Sequence, residues 1–319
     1  MGKHDWWCPI IGTLLVVAGA VLCVSITWKD NPAFLRDLGY TASFVELFTE
    51  RSAWVVLATT LCVAVVTSPI YSIRIMRGLE QWRDSRLLST WLLRTRLLAA
   101  VGFSGALAFS IASEQGESGV LWRPLAALGW PVHVFFHALN AIAVIPIVYL
   151  TSCVSLALFD KGECEPWSAR RIRETRGAVK SQLLAGCIVL VLGVVELITV
   201  YRWIAATRAE VLVDGMLVRS DDFRQLGATV ALCIGAGFSV LLAAIALPAF
   251  MVVKARTREL AERTLGSVSP ALRDRWLKEE GLDLSLAATL KRAATISGPL
   301  LVGLTGGALI DWVNLAIAK

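Results

Sequence analysis

Residues 182–201 read QLLAGCIVLVLGVVELITVY, twenty positions with no lysine or arginine and a single carboxylate, Glu196. Twenty helical residues at about 1.5 Å each cover the ~30 Å hydrocarbon core of a bilayer. The stretch therefore predicts a transmembrane helix, and six further runs resemble it. The seven are 9–28, 53–73, 97–113, 132–158, 182–201, 228–253 and 298–317, and none of the 31 Lys and Arg residues falls inside any of them. The 319-residue chain is 56% hydrophobic and 18% charged, with a mean hydropathy of +0.65. Soluble domains carry about 25% charged residues, so a soluble helical protein is set aside. The expected fold is all-α: a polytopic integral membrane protein of about seven transmembrane helices, forming one domain over 1–319.

The cations also orient the chain. Alternate non-membrane segments, beginning with the N-terminus, hold 22 of the 31 Lys and Arg, and the intervening ones hold 9. Positively charged loops stay cytoplasmic, which predicts a cytoplasmic N-terminus and an external C-terminus. The net charge of +6 then records this bias and an attraction to anionic lipid at the cytoplasmic face, and does not point to nucleic acid. Trp28, Trp54, Trp130, Trp203 and Trp312 lie near proposed helix ends, where indole rings favour the headgroup boundary. The opening MGKHDWWCPIIGTLLVVAGAVLC has too long an apolar run for a signal-peptide core and reads as a retained first helix. Five of the seven cysteines sit in spans and no CxxC pair exists, so neither a disulfide framework nor a zinc ribbon is supported.

Between the spans, 31–50 reads as an amphipathic segment on the outer leaflet. Residues 210–222 carry Asp214-Gly215 between apolar residues, a hairpin signal whose alternative is a short extension of the fifth helix. The longest loop, 254–297, is expected to be cytoplasmic and helical. Its first part prolongs the sixth helix; Ser269 caps a second helix beginning at Pro270 and ended by Gly281. A third helix is expected from Asp283 to about Ile296, with the seventh span capped by Ser297 and starting at Pro299. These inner helices lie on the bilayer, pack on the protein itself or dock a partner. Pro69, Pro146 and Pro248 all fall in the inner halves of their helices, which suggests three similar hairpins with a kink in each. Glycines in GATVALCIGAGFS and GPLLVGLTGGA predict close approach of the sixth and seventh spans.

Only two acids lie inside the runs, Glu196 and Asp311. Ionisable groups at membrane depth cost about 2.5–3.5 kcal/mol or more and mark functional candidates. Counted along their helices, both lie roughly 20 Å from the inner boundary, and His137 about 9 Å below the outer one. All three thus share one level in the outer half of the bilayer. His133 and His137 are one turn apart on one face. With Glu196 and Asp311 they make a candidate first set of ligands for Zn²⁺, Mn²⁺ or Fe²⁺. The same groups could pass protons, with Asn140 and Asn314 orienting them. Each could equally be a structural group hydrogen-bonded to a neighbouring helix.

No P-loop, dinucleotide turn, HExxH, GxSxG or haem-attachment motif is present, and the seventh span lacks a lysine for a retinal Schiff base. No cofactor is named by any motif, and an enzyme is the less favoured class. The leading expectation is a multi-pass protein of a bacterial inner (plasma) membrane. It would move a small solute or ion past His137, Glu196 and Asp311, with a second copy or a membrane-complex subunit as partner. The alternatives are a non-enzymatic membrane subunit, pore-forming protein or defence effector of a larger assembly, and an intramembrane metalloenzyme.

Overall fold

The computed structural model describes residues 44–79, 86–114, 130–158, 167–206, 211–213, 216–218, 220–266, 270–282 and 294–306. Its helices are α1 (Phe44–Gly78), α2 (Arg86–Glu114), α3 (Trp130–Ile142), α4 (Val144–Leu158) and α5 (Ala169–Ala206). They are followed by α6 (Ser220–Leu265), α7 (Pro270–Glu279) and α8 (Ala294–Gly306). Between α5 and α6 lies a hairpin of two short strands, β1 (Val211–Val213) and β2 (Met216–Val218). They pair antiparallel with Val213 opposite Met216, which leaves Asp214 and Gly215 as the connecting pair.

Among the described residues, four helical stretches are long and apolar enough to cross a bilayer: 50–78, 134–158, 169–206 and 222–265. The architecture is that of a helical membrane protein. The run 97–113 lies within α2, the run 9–28 is outside the described residues, and the last run is described only as far as Gly306. Large apolar side chains such as Val101, Val240, Leu247 and Met251 point away from the bundle. That is the outer surface expected of helices whose solvent is lipid.

The centre of the bundle is α5, which packs against α1, α4 and α6. One stripe of α1 is buried: Glu50, Trp54, Ala58, Leu61, Val65, Ser72 and Met76. Their spacing in threes, fours and one seven keeps them on a single helical face. Below the hairpin, α5 and α6 run back to back, with Gly227 so close that an added Cβ would lie 2.6 Å from the Tyr201 Cβ. Lipid tails are as apolar as the side chains, so this contact is held by close packing rather than by exclusion of water.

At 46 and 38 residues, α6 and α5 are about 69 and 57 Å long, twice what a bilayer core requires. The surplus forms a small folded cap at one end. Trp167, Ile172, Val253, Ala261, Leu277 and Leu282 make its core. Arg171 and Arg256 lie over the Trp167 ring, with the guanidinium carbons 4.5 and 5.7 Å from its centre. Arg173 ties α5 to the end of α7 through the Glu280 carboxylate at 3.1 Å. The expected stop at Gly281 is a Schellman motif. Gly281 has φ +68, its amide donates to the Lys278 carbonyl, and the Leu282 amide donates to the Leu277 carbonyl. So α7 packs on the protein itself through Leu277, with Trp276 half-buried beside it, while Leu272 on the same helix stays exposed.

Four expectations need correction or division. The segment from Phe44 belongs to α1, which therefore starts nine residues before the predicted span at 53; the rest of 31–50 lies outside the described residues. Ser297 and Pro299 do not open a helix, because α8 is already helical from Ala294. Pro299 has no amide to give, and the next one, Leu300, donates to Ser239 Oγ on α6 at 3.1 Å instead. The stretch 283–293 is outside the described residues. The three prolines also differ in effect: helix continues through Pro69 and Pro248, whereas a turn at Ala143 separates α3 from α4 just before Pro146. Finally, Trp54 and Trp203, expected to present their rings to headgroups, turn them into the protein. Both are buried, with ring centres 5.2 Å apart and ring planes tilted by 37°. Trp28 and Trp312, and the side chain of Trp130, are outside what is described.

The predicted glycine packing is present and close. A Cβ on Gly303 would stand 2.7 Å from the Ala231 carbonyl oxygen, and one on Gly235 would overlap the Pro299 carbonyl oxygen. Across the other side of α8, Gly298 faces Cys187 Sγ and Gly306 faces Ile198, both on α5. α8 is thus wedged between α5 and α6 on four glycines.

Candidate functional site

The polar groups of the bundle converge on the seam between α1 and α5. Residues 50, 54 and 72 of α1 meet residues 202, 196 and 182 of α5, so the two helices run antiparallel along the whole seam. At the end nearer the hairpin, Arg202 pairs with Glu50 at 3.1 Å, its Nε also donating to both carboxylate oxygens at 3.2 and 3.4 Å. The side chains are 12% and 6% exposed, so this is a buried pair. Further in, Trp54 Nε1 donates to Glu196 Oε1 at 2.8 Å. Trp203 and Phe135 close around the Trp54 indole, the latter edge-on with ring centres 6.0 Å apart. Further still, Ser72 Oγ lies 2.8 Å from Gln182 Oε1.

Glu196 is 1% exposed and faces into the bundle. Its second oxygen, Oε2, is buried and has no hydrogen-bond partner among the described residues. As a carboxylate it lacks a counter-charge there; as a carboxylic acid it lacks an acceptor for its proton. Neither protonation state is fully satisfied, which is unusual for a buried polar group. Such a group is suited to exchanging a proton with a transient third partner.

The helix that presents Glu196 has a strict spacing. Thr175, Gln182, Val189, Glu196 and Trp203 follow each other at sevens and are all buried. Two turns of helix return to nearly the same face, so three of the five positions on this face are polar. From Gln182 onward this repeat is the signal by which the sequence marks the seam, whereas Thr175 donates to the Ala157 carbonyl on α4. Hydropathy passes over it, because glutamine and threonine each dilute an apolar window only slightly.

The remaining candidates fall elsewhere. Phe135, Leu139 and Ile142 of α3 pack on the cluster around Trp54 and α5. His137, buried with its ring edge-on to Phe136, is two residues from both Phe135 and Leu139. On a helix that places it roughly half a turn away from Phe135 and Leu139, although Phe136 beside it belongs to the same buried cluster. Asn140 is exposed, and its Nδ2 donates to the Phe136 carbonyl of its own helix at 3.1 Å. Asp311, Asn314 and the side chain of His133 lie outside the described residues. Among the described residues no three His, Cys, Asp or Glu side chains gather to hold a metal ion. The residues that sequence reasoning passed over are Trp54, Glu50, Arg202, Ser72 and Gln182.

Fold and seam together define a helical integral membrane protein with polar contacts buried between two of its long helices. No protein-family model, curated protein or solved structure gives a significant match to the chain.

Proposed function

We propose that the protein moves a small ion, with the proton as first candidate, along the α1–α5 seam, and that Glu196 is the group that carries it. The observation behind this reading is the unpartnered Oε2 of a carboxyl buried at membrane depth. Intramembrane carboxyls are costly and mark ion and proton paths, and this one is held by a single indole N–H that leaves one oxygen available. His137, Asn140, Asp311 and Asn314 are not needed for the proposal, and neither is a metal bound by His133, His137, Glu196 and Asp311.

The test is proton flux in liposomes containing the purified protein, read by a pH-sensitive dye under a potassium diffusion potential. Glu196→Gln keeps the hydrogen bond from Trp54 but cannot exchange a proton, and is expected to lower flux about tenfold or more. Equal flux in both proteins, with both folded, sinks the proposal.

The proposed setting is a multi-pass protein of a bacterial inner membrane, with seven spans and a cytoplasmic N-terminus. The 22-to-9 distribution of cations supports it, and it places the α7 cap among anionic headgroups. A reporter fused after residue 265 is expected to behave as cytoplasmic and one fused after residue 217 as external. Reversal at either site would overturn the orientation. In the rival role, as a non-enzymatic subunit held by its inner loop, α7 would offer its exposed Leu272 side to a partner while Leu277 packs on the protein's own Trp167 cluster.

A further inference from the structure

Glu196 and Gln182 are fourteen residues apart on α5, roughly 21 Å along the axis. Ser72 and Gln182 at the far end are buried, 2% and 1% exposed. Their hydrogen bonding is incomplete in a way that can be counted. Ser72 Oγ has one hydrogen but faces two acceptors, the Ser68 carbonyl at 2.9 Å and Gln182 Oε1 at 2.8 Å. Gln182 Nε2 is buried with no partner among the described residues; with the amide reversed, Nε2 would donate to Ser72 Oγ and free the Ser72 hydroxyl for the Ser68 carbonyl, but Oε1 would then be the buried group without a partner. Ser68 Oγ is buried and unpartnered as well. Thr59, Thr67 and Thr151 return their hydroxyl to the carbonyl four residues earlier, as mid-helix hydroxyls commonly do, but Ser68 does not. One residue on, Pro69 has no amide to donate, so the Val65 carbonyl receives no helical hydrogen bond from it. A donor, a hydroxyl and an acceptor thus lie along two turns of α1, from Val65 to Ser72, and on its partner on α5. A water molecule, as donor and acceptor both, matches that set.

Between this cluster and Glu196 the seam is apolar. Leu61 and Val65 of α1 and Val189 of α5 belong to one buried cluster, and Val189 is the single apolar member of the α5 repeat between Gln182 and Glu196. A carboxyl side chain reaches only a few ångströms, so a proton leaving Glu196 cannot arrive at Gln182 unless this layer is wetted. Apolar constrictions gate by dewetting.

We propose that Ser68, Ser72 and Gln182 form an inner water-binding station on the proton path, and that Val189, Leu61 and Val65 form the apolar gate between it and Glu196. This rests on the proposed role of Glu196. Val189→Thr keeps the shape of the side chain and adds a hydroxyl inside the gate, and is expected to raise proton flux about tenfold. Gln182→Leu removes the station and is expected to lower flux by about the same factor. Thermal unfolding of each variant in detergent confirms that it is folded, with Gln182→Asn as the substitute should Gln182→Leu fail. The rise in Val189→Thr must disappear in the double variant Val189→Thr/Glu196→Gln. Persistence there would be leakage outside the seam and would overturn the gate, as would unchanged flux in either single variant. Loss of flux in Glu196→Gln alongside unchanged flux in the gate and station variants would remove this inference and leave the role of Glu196 standing. Unchanged flux in Glu196→Gln would remove both.

Discussion

Gly235→Val is expected to lift α8 off α6. The new Cβ would overlap the Pro299 carbonyl oxygen, a backbone atom that no rotamer change can move. Overpacking of this kind costs about 1–3 kcal/mol, which for a chain of this size lowers the unfolding midpoint by about 1.5–4.5 °C. The molecule carries its own probe. Cys187 Sγ lies under Gly298, so a maleimide should label Cys187 faster once α8 moves, while Cys153, buried among α1, α2 and α4, should not change. Gly237→Val, two residues along the same helix, is the matched control, because nothing lies within 4 Å of its Cβ position. Identical midpoints and labelling rates for the two variants would mean that the α6–α8 contact is not as close as described.

Breaking the Glu50–Arg202 pair should have the larger effect. Arg202→Met leaves a buried carboxylate without its partner at the end of α1, which typically costs about 3–5 kcal/mol. Removing both charges together is a different matter. A buried ion pair has already lost its hydration, and replacing the two members by apolar residues of similar volume is often neutral or stabilising. The double variant Glu50→Met/Arg202→Met is therefore expected to recover most of the loss, giving a strong coupling energy in a double-mutant cycle. Measured by thermal unfolding in detergent, a double variant as unstable as Arg202→Met alone would show that the two side chains do not act as a pair.

Composition made the membrane class legible, because a run such as 228–253 with no cation has few other meanings. Local punctuation was legible too: Pro270 and Gly281 bound α7, and Gly235 and Gly303 mark where two helices touch. In each case one residue type has a narrow set of physical uses. What hydropathy leaves open is which side of a helix faces protein and which faces lipid, since both sides are apolar. Trp54 shows the consequence. Its place near the predicted end of a span suits a headgroup anchor, yet its indole is buried and occupied by Glu196. The level shared by Glu196 and His137 was likewise a matter of depth alone, and depth says nothing about rotation around the helix axis. Rotation was readable in one place, the sevens of Thr175, Gln182 and Glu196, where polar residues recur on one face of an otherwise apolar helix.

The partners across the α1–α5 seam are also far apart along the chain, and this sets a timetable for biosynthesis. Glu50 and Arg202 are separated by 152 residues. At about 5–20 residues per second, a ribosome needs roughly 8–30 s to make that length. Throughout that interval Glu50 exists without Arg202, and Trp54 without Glu196. α1 must therefore be held as an incomplete surface while α2, α3 and α4 are made, and only the arrival of α5 completes it. The seam is a late event in assembly, and the fifth helix decides when the surface of α1 is completed.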